Sequence, residues 1–141
     1  MYIETTRVQR VARTEPTQEL NKLSWAVVDA AIEVHRHLGL GFFESVYEEA
    51  LSVELASRNI PFARQPVVPI YYKDHPIGEG RLDLLVGGCL IIELKAVEAL
   101  APIHTAQVIS YLKATGFQLG LLINFNVPIL KSGLKRIINS K

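Results

Sequence analysis

The stretch Asp83-Leu84-Leu85-Val86-Gly87-Gly88-Cys89-Leu90-Ile91-Ile92-Glu93-Leu94-Lys95 decides the fold. Two apolar runs joined by a glycine pair describe a β-hairpin. Its first arm is expected from Glu79 to Val86, with Glu79, Arg81 and Asp83 on one side and Gly80, Leu82 and Leu84 on the other. Its second arm is expected from Cys89 to Lys95. Alternation there puts Glu93 and Lys95 on one face and Leu94 on the other. Two isoleucines precede the charges, so the charges emerge where a buried strand ends. Register decides whether the two acids meet. A two-residue Gly87-Gly88 turn would pair Val86 with Cys89, set Asp83 opposite Ile92, and send the carboxylates to opposite faces. A three-residue loop or a glycine bulge shifts the pairing by one and brings them together. Either form needs the positive φ that glycine tolerates, and one of them is the expectation.

Working outward, Val67 to Tyr72 reads as a strand, with Pro69 marking an edge or a bulge and Asp74-His75-Pro76 a turn. Upstream of it, Asn21 can cap a helix to Leu38. Its buried stripe is Leu23, Val27, Ala30, Val34 and Leu38, widened by Trp25, Val28 and Ile32. Gly39 and Gly41 end that helix. A second helix runs from Phe43 to Arg58 on Val46, Tyr47, Ala50, Leu51 and Leu55, and Asn59 and Pro61 stop it. Downstream, Pro102 opens a helix to Thr115 that stops at Gly116. Leu119 to Asn124 is almost wholly apolar, as a central strand covered on both faces should be. Gly133 to Asn139 adds a short last element. The order describes a mixed α/β domain over residues 19–141, an antiparallel meander followed by a crossover to a parallel strand. Residues 1–18 form a polar tail or arm.

The chain of 141 residues is 49% apolar, enough for one domain with a full core. A net charge of +1 excludes a polycationic nucleic-acid coat and an acidic disordered tail. Basic ends (Arg7, Arg10, Arg13; Lys131, Lys135, Arg136, Lys141) flank an acidic middle. An acidic centre suits a cation and basic ends suit a polyanion, but charge alone equally describes an ordinary solvated surface. A lone cysteine, Cys89, excludes an internal disulfide framework and a multi-cysteine zinc site. There is no apolar run long enough for a membrane span, and the first residues lack the basic-then-apolar order of a secretory signal. A cytoplasmic protein, with no membrane partner, is expected.

Glu93 and Lys95 alone would most often be a structural ion pair. Asp83 on the preceding strand changes the balance. A hard cation such as Mg²⁺ takes carboxylate and carbonyl oxygens, and Asp83, Glu93 and the Leu94 carbonyl can supply them. Lys95 can then orient a water or steady charge on a phosphate. On the following helix, His104, Gln107 and Tyr111 share a face, while Ala106, Ile109 and Leu112 are expected to pack on the sheet. Gln107 and Tyr111 can hydrogen-bond a phosphate or a carboxylate; the alternative is a solvated helix face. Glu44 opens the second helix, where a carboxylate also suits the helix dipole. It can point into the site and hold a metal through water, and Glu48, one turn on, can substitute. His35 is read as a packing or capping residue and Cys89 as a small apolar strand residue. No dinucleotide loop, phosphate-binding glycine motif, serine-nucleophile elbow or His-x-x-x-His zinc pair occurs.

Together these residues resemble the PD-(D/E)XK nuclease superfamily, and within it the GxxExxY family. Gly41, Glu44 and Tyr47 match the naming motif. Asp83 with Glu93-Leu94-Lys95 matches the superfamily core, although Leu82 stands where the superfamily has proline. Gln107 and Tyr111 match a Gln-x-x-x-Tyr helix motif. The resemblance runs from about Leu20 to Asn139, leaving the tail 1–18 outside. It implies a restriction-endonuclease-like core with a mixed sheet of about four or five strands flanked by helices. It implies a metal-dependent nuclease, with Asp83 and Glu93 ligating Mg²⁺ or Mn²⁺ and Glu44 helping to hold the metal. Lys95 would position the attacking water, and Gln107 and Tyr111 would line the site. The implied partner is nucleic acid, DNA before RNA, with self-association left open. The rival reading is a non-catalytic module that binds nucleic acid or protein on the same scaffold.

Overall fold

The computed structural model describes residues 15–139, so most of the expected tail lies outside the described residues. Its boundary moves. Thr17, not Asn21, caps helix α1 (Gln18–Leu38), and its Oγ1 accepts the Leu20 amide at 3.1 Å. The Asn21 side chain instead accepts a hydrogen bond from Arg136. The buried stripe of α1 includes Val27, Ala30 and Val34 as expected, but Trp25 is 61% exposed. It stands about 200° around the helix from Val27, at the margin of the buried face, next to the half-buried Ile32. Gly39 ends α1 at φ 68°, donating to His35 O at 2.8 Å. Helix α2 follows (Glu44–Ser57), burying Tyr47, Leu51 and Leu55.

The strands that follow depart from the expected meander. Strand β1 (Phe62–Arg64) is only three residues long, too short for any hydrophobic period to reveal. Strands β2 (Val67–Tyr72) and β3 (His75–Arg81) pair only with each other, as a separate two-stranded ribbon. Its turn is Lys73-Asp74, both in the left-handed region at φ 48° and 69°, so His75 and Pro76 belong to the strand instead. The register slips between Ile70 and Tyr71, just after Pro69, as the proline suggests. The expected continuous strand Glu79–Val86 is therefore two strands. The chain changes partners at Leu82-Asp83, then forms β4 (Leu84–Val86) against β1.

Strand β5 (Leu90–Lys95) runs antiparallel to β4. Helix α3 (Pro102–Thr115) carries the chain over to β6 (Leu119–Asn124), which is parallel to β5. A 3₁₀ turn (Leu130–Gly133) leads to β7 (Leu134–Ile138), antiparallel to β6. The order in the main sheet is β1-β4-β5-β6-β7, a mixed five-stranded sheet with one parallel pair. Leu90, Ile92 and Leu94 of β5 join Leu84, Val86, Leu121 and Ile123 under α1 and α2. Ile91 faces the other way, with Leu82 and Leu122, under α3. The sheet-facing positions of α3 are Val108 and Leu112; Ala106 is exposed and Ile109 partly so. Among the described residues no helix is long and apolar enough to cross a membrane.

Gly133 sits where β6 ends. A Cβ there would lie 2.2 Å from the Asn124 carbonyl oxygen, a backbone atom that cannot swing aside. Gly133→Ala should cost about 1–3 kcal/mol of stability, read as a lower urea midpoint. An unchanged midpoint would contradict this close approach.

Candidate active site

The hairpin resolves the register question. Val86 pairs with Leu90, and the Cys89 amide donates to Val86 O at 3.2 Å, closing a three-residue loop. Gly87 and Gly88 occupy φ 61° and 74°, the conformation the loop requires. Cys89 thus lies in the turn rather than in the strand, and is half-buried. Leu84 pairs with Ile92, so one step further Asp83 falls opposite Glu93. The two acids complete the ladder beyond the end of β4. Asp83 Oδ2 accepts the Leu94 amide at 2.7 Å, and Glu93 Oε2 accepts the Asp83 amide at 3.1 Å. Among the described residues, the second oxygen of each carboxylate has no hydrogen-bond partner. The Lys95 carbonyl accepts from Phe125 on the β6 side. Strand alternation therefore turns the amide and carbonyl of Leu94 toward Asp83.

Electrostatics set this pair apart. Glu93 is 4% exposed. Burial first, and then the charge of Asp83, push its carboxyl from an ordinary 4.5 up to about 8. The Asp83 amide and Lys95 pull it partly back. Burial also raises Asp83; the Leu94 amide opposes that rise, Glu48 and Glu44 add to it, and Lys95 lowers it. Two acids in one desolvated place disfavour double ionisation on the order of several kcal/mol, so the pair is poised to take up positive charge.

Neighbouring elements aim the pair. Gln65 donates its amide to Asp83 O at 2.9 Å, while its side-chain amide reaches Glu48 at 2.9 and 3.1 Å. It does so at φ 55°, where a non-glycine residue pays about 1–2 kcal/mol. Arg64 bridges Glu48 and Glu49 at 3.2 and 2.9 Å. Behind Lys95, the buried Asn124 accepts the Val97 amide at 3.0 Å and donates to Val97 O at 2.9 Å. Asn124 lies opposite Lys95 in the sheet, so it fixes the loop that leaves the site. Sequence reasoning gave Gln65 and Asn124 no role. Gln65 is a loop residue in no motif, and Asn124 reads as the end of an apolar strand.

The loop before α2 is tightly made. Tyr47 is fully buried and stacks on Phe125 with centroids 4.5 Å apart. Its hydroxyl donates to Gly39 O at 2.6 Å and accepts the Phe42 amide at 3.2 Å. Gly41 takes φ 111°, open to glycine and strained for other residues. Gly41 and Tyr47 thereby fix the backbone that delivers Glu44, which is exposed and whose charge bears on both acids. The cap position itself is Phe43, which offers no side-chain hydrogen bond. A Ser or Asp there would add about 1 kcal/mol.

Other expected residues stand further out. Tyr111 packs across Gly80, where a Cβ would meet its ring at 2.4 Å. Gln107 is exposed and makes no hydrogen bond to the acid pair among the described residues. His104 does not share their role: its Nδ1 accepts the Ala101 amide at 2.9 Å, capping α3. His35 is a buried packing residue whose Nε2 lies 2.8 Å from Val127 O. Among the described residues, no three His, Cys, Asp or Glu side chains are gathered closely enough to cage a metal by themselves. The pair therefore offers two carboxylates and a carbonyl to a cation that keeps other ligands, which is how Mg²⁺ is ordinarily held.

A family model described as the PD-(D/E)XK nuclease superfamily matches residues 21–137. The five-stranded mixed sheet flanked by helices is consistent with a restriction-endonuclease-like fold. No curated protein matches the chain.

The raised Glu93 carboxyl has a thermal signature. Between about 4.5 and about 8 the folded chain holds a proton that the unfolded chain has released. In chelator, stability should therefore fall as pH rises through that window. Glu93→Gln keeps an oxygen for the Asp83 amide and should flatten the slope, giving a higher melting temperature than wild type at pH 8. Parallel melting-temperature profiles for the two proteins would contradict the assignment.

Proposed function

The chain belongs to the PD-(D/E)XK nuclease superfamily, and from that premise we propose that it is a metal-dependent nuclease, hydrolysing phosphodiester bonds in nucleic acid, DNA in the first instance. The observation that carries this reading is the facing of Asp83 and Glu93 across a hairpin whose loop length permits no other register. The donor set fits a hard divalent cation: the buried Glu93 and half-buried Asp83 carboxylates, each with one oxygen unengaged among the described residues, and the Leu94 carbonyl turned to the same side. Asp83 and Glu93 would hold Mg²⁺ or Mn²⁺, with Glu44 acting through water. The ion would supply positive charge to the phosphate oxygens, which is most of what phosphoryl chemistry asks of a protein.

The remaining work falls to the chain. Lys95 projects on the same strand face as Glu93, and its charge already acts on both acids. From there its ammonium orients the attacking water and meets charge developing on phosphate. Asn124 and Val97 keep that lysine's backbone fixed. Tyr111 and Gln107, on α3, would contact phosphate once substrate is bound. The arrangement of Gly41, Glu44 and Tyr47 supports the narrower GxxExxY assignment, because each has a distinct physical task around one loop.

Incubation of single- and double-stranded DNA and RNA with Mg²⁺ or Mn²⁺ tests the reading. Wild type should cleave at least one of them, and chelator should stop it. Lys95→Ala should lower the rate by 10³-fold or more, on the order of an oxyanion-type contact, while melting and binding stay near wild type. Cleavage indifferent to chelator and to Lys95→Ala would refute it. Binding without any cleavage would favour a non-catalytic module.

A further inference from the structure

Building on the nuclease reading, we propose that Phe43 is a stacking platform for an unpaired base next to the scissile phosphate, so that the substrate is single-stranded where it is cut. Phe43 caps α2, whose first turns are tied to the acid pair: Glu48 accepts the Gln65 side-chain amide at 2.9 Å, and the Gln65 backbone amide donates to Asp83 O at 2.9 Å. Phe43 is 82% exposed, the most exposed of the large apolar side chains among the described residues. That exposure is built rather than incidental. Tyr47 ties the loop at Gly39 and Phe42, and Gly41 contributes a backbone turn that side chains resist. Phe42 packs edge-on against Tyr47, centroids 6.1 Å apart, while Phe43 has no aromatic neighbour among the described residues. A phenylalanine also occupies a helix cap where a polar residue would hold the helix better. The loop thus presents Phe43 to solvent, beside the half-exposed Phe42 and Leu40.

The ring itself selects the partner. Bases inside a duplex are already stacked and paired, whereas an unpaired base can lie face-on against an exposed aromatic ring. In the first turns of α2, Glu44, Glu48 and Glu49 are acidic. Arg64 is engaged by two of them and Arg81 by the Gln65 carbonyl. Among the described residues these two arginines are therefore engaged, and stacking a base face-on asks for no cation of its own. Every base has a π-face, so the platform would serve DNA or RNA without regard to sequence.

The test uses short DNA and RNA strands carrying one 2-aminopurine, added with Mg²⁺ to the Lys95→Ala chain so that the probe stays intact. Binding should quench the 2-aminopurine, and the same strand in a duplex should bind more weakly. Adding Phe43→Ala should remove the quench and weaken binding about tenfold, with circular dichroism unchanged because the side chain is at the surface. Phe43→Trp should restore both. Whichever sugar gives the Phe43-dependent quench identifies the substrate's chemistry. Wild-type cleavage of duplex and single strand at equal rates, unaltered by Phe43→Ala, would overturn the platform and leave the nuclease standing. A Phe43-dependent quench with no cleavage of any strand by wild type would do the reverse. Absence of quench with every probe would also overturn the platform.

Discussion

Two carboxylates facing each other at the frayed end of a hairpin are the constraint around which this protein is arranged. Each accepts the backbone amide that the ladder leaves over, so the acids replace strand hydrogen bonds while remaining ionisable groups drawn away from water. That geometry depends on one residue of loop length. With Cys89 inside the turn, every side chain of β5 keeps its face, and Glu93 meets Asp83 instead of passing behind the sheet. Apolar packing on both sides of β5 then fixes the pair in depth.

The price appears as local structure that stability alone would not select. Burial lifts both acids toward their neutral forms. Gln65 holds a left-handed backbone to reach Asp83 and Glu48 together. An unsatisfied helix cap carries an exposed phenylalanine. These departures come from distant parts of the chain, and left-handed backbone also occurs in turns at Asn59, Lys73 and Asp74. Local strain that serves a reactive pair, as at Gln65, is a pattern expected of a functional site.

What could be read beforehand followed the strength of the local pattern. Helix α3 was legible to the residue, because Pro102 and Gly116 punctuate it, and β6 was legible because six apolar-rich positions leave no other place for it. The three-residue loop followed from asking which register lets two acids meet. Strand β1 is invisible in the sequence because three residues carry no period, and without it β2 and β3 read as part of the main sheet rather than as a separate ribbon. Trp25 reads as buried from its aromatic character, yet at the margin of the α1 face it stays exposed. At the site, Asp83, Glu93 and Lys95 could be found from one hairpin and its strand alternation. Gln65 and Asn124 could not, since their roles are hydrogen bonds to backbone brought near only by the fold.

The central claim is that the facing acids exist to hold a divalent ion. Crystals of the protein soaked in Mn²⁺ and measured at the manganese absorption edge test it directly. An anomalous peak in contact with both the Asp83 and Glu93 carboxylates, absent from Glu93→Gln crystals, is the result this account predicts. At saturating Mn²⁺, no peak at that pair, or a peak only elsewhere, would contradict it.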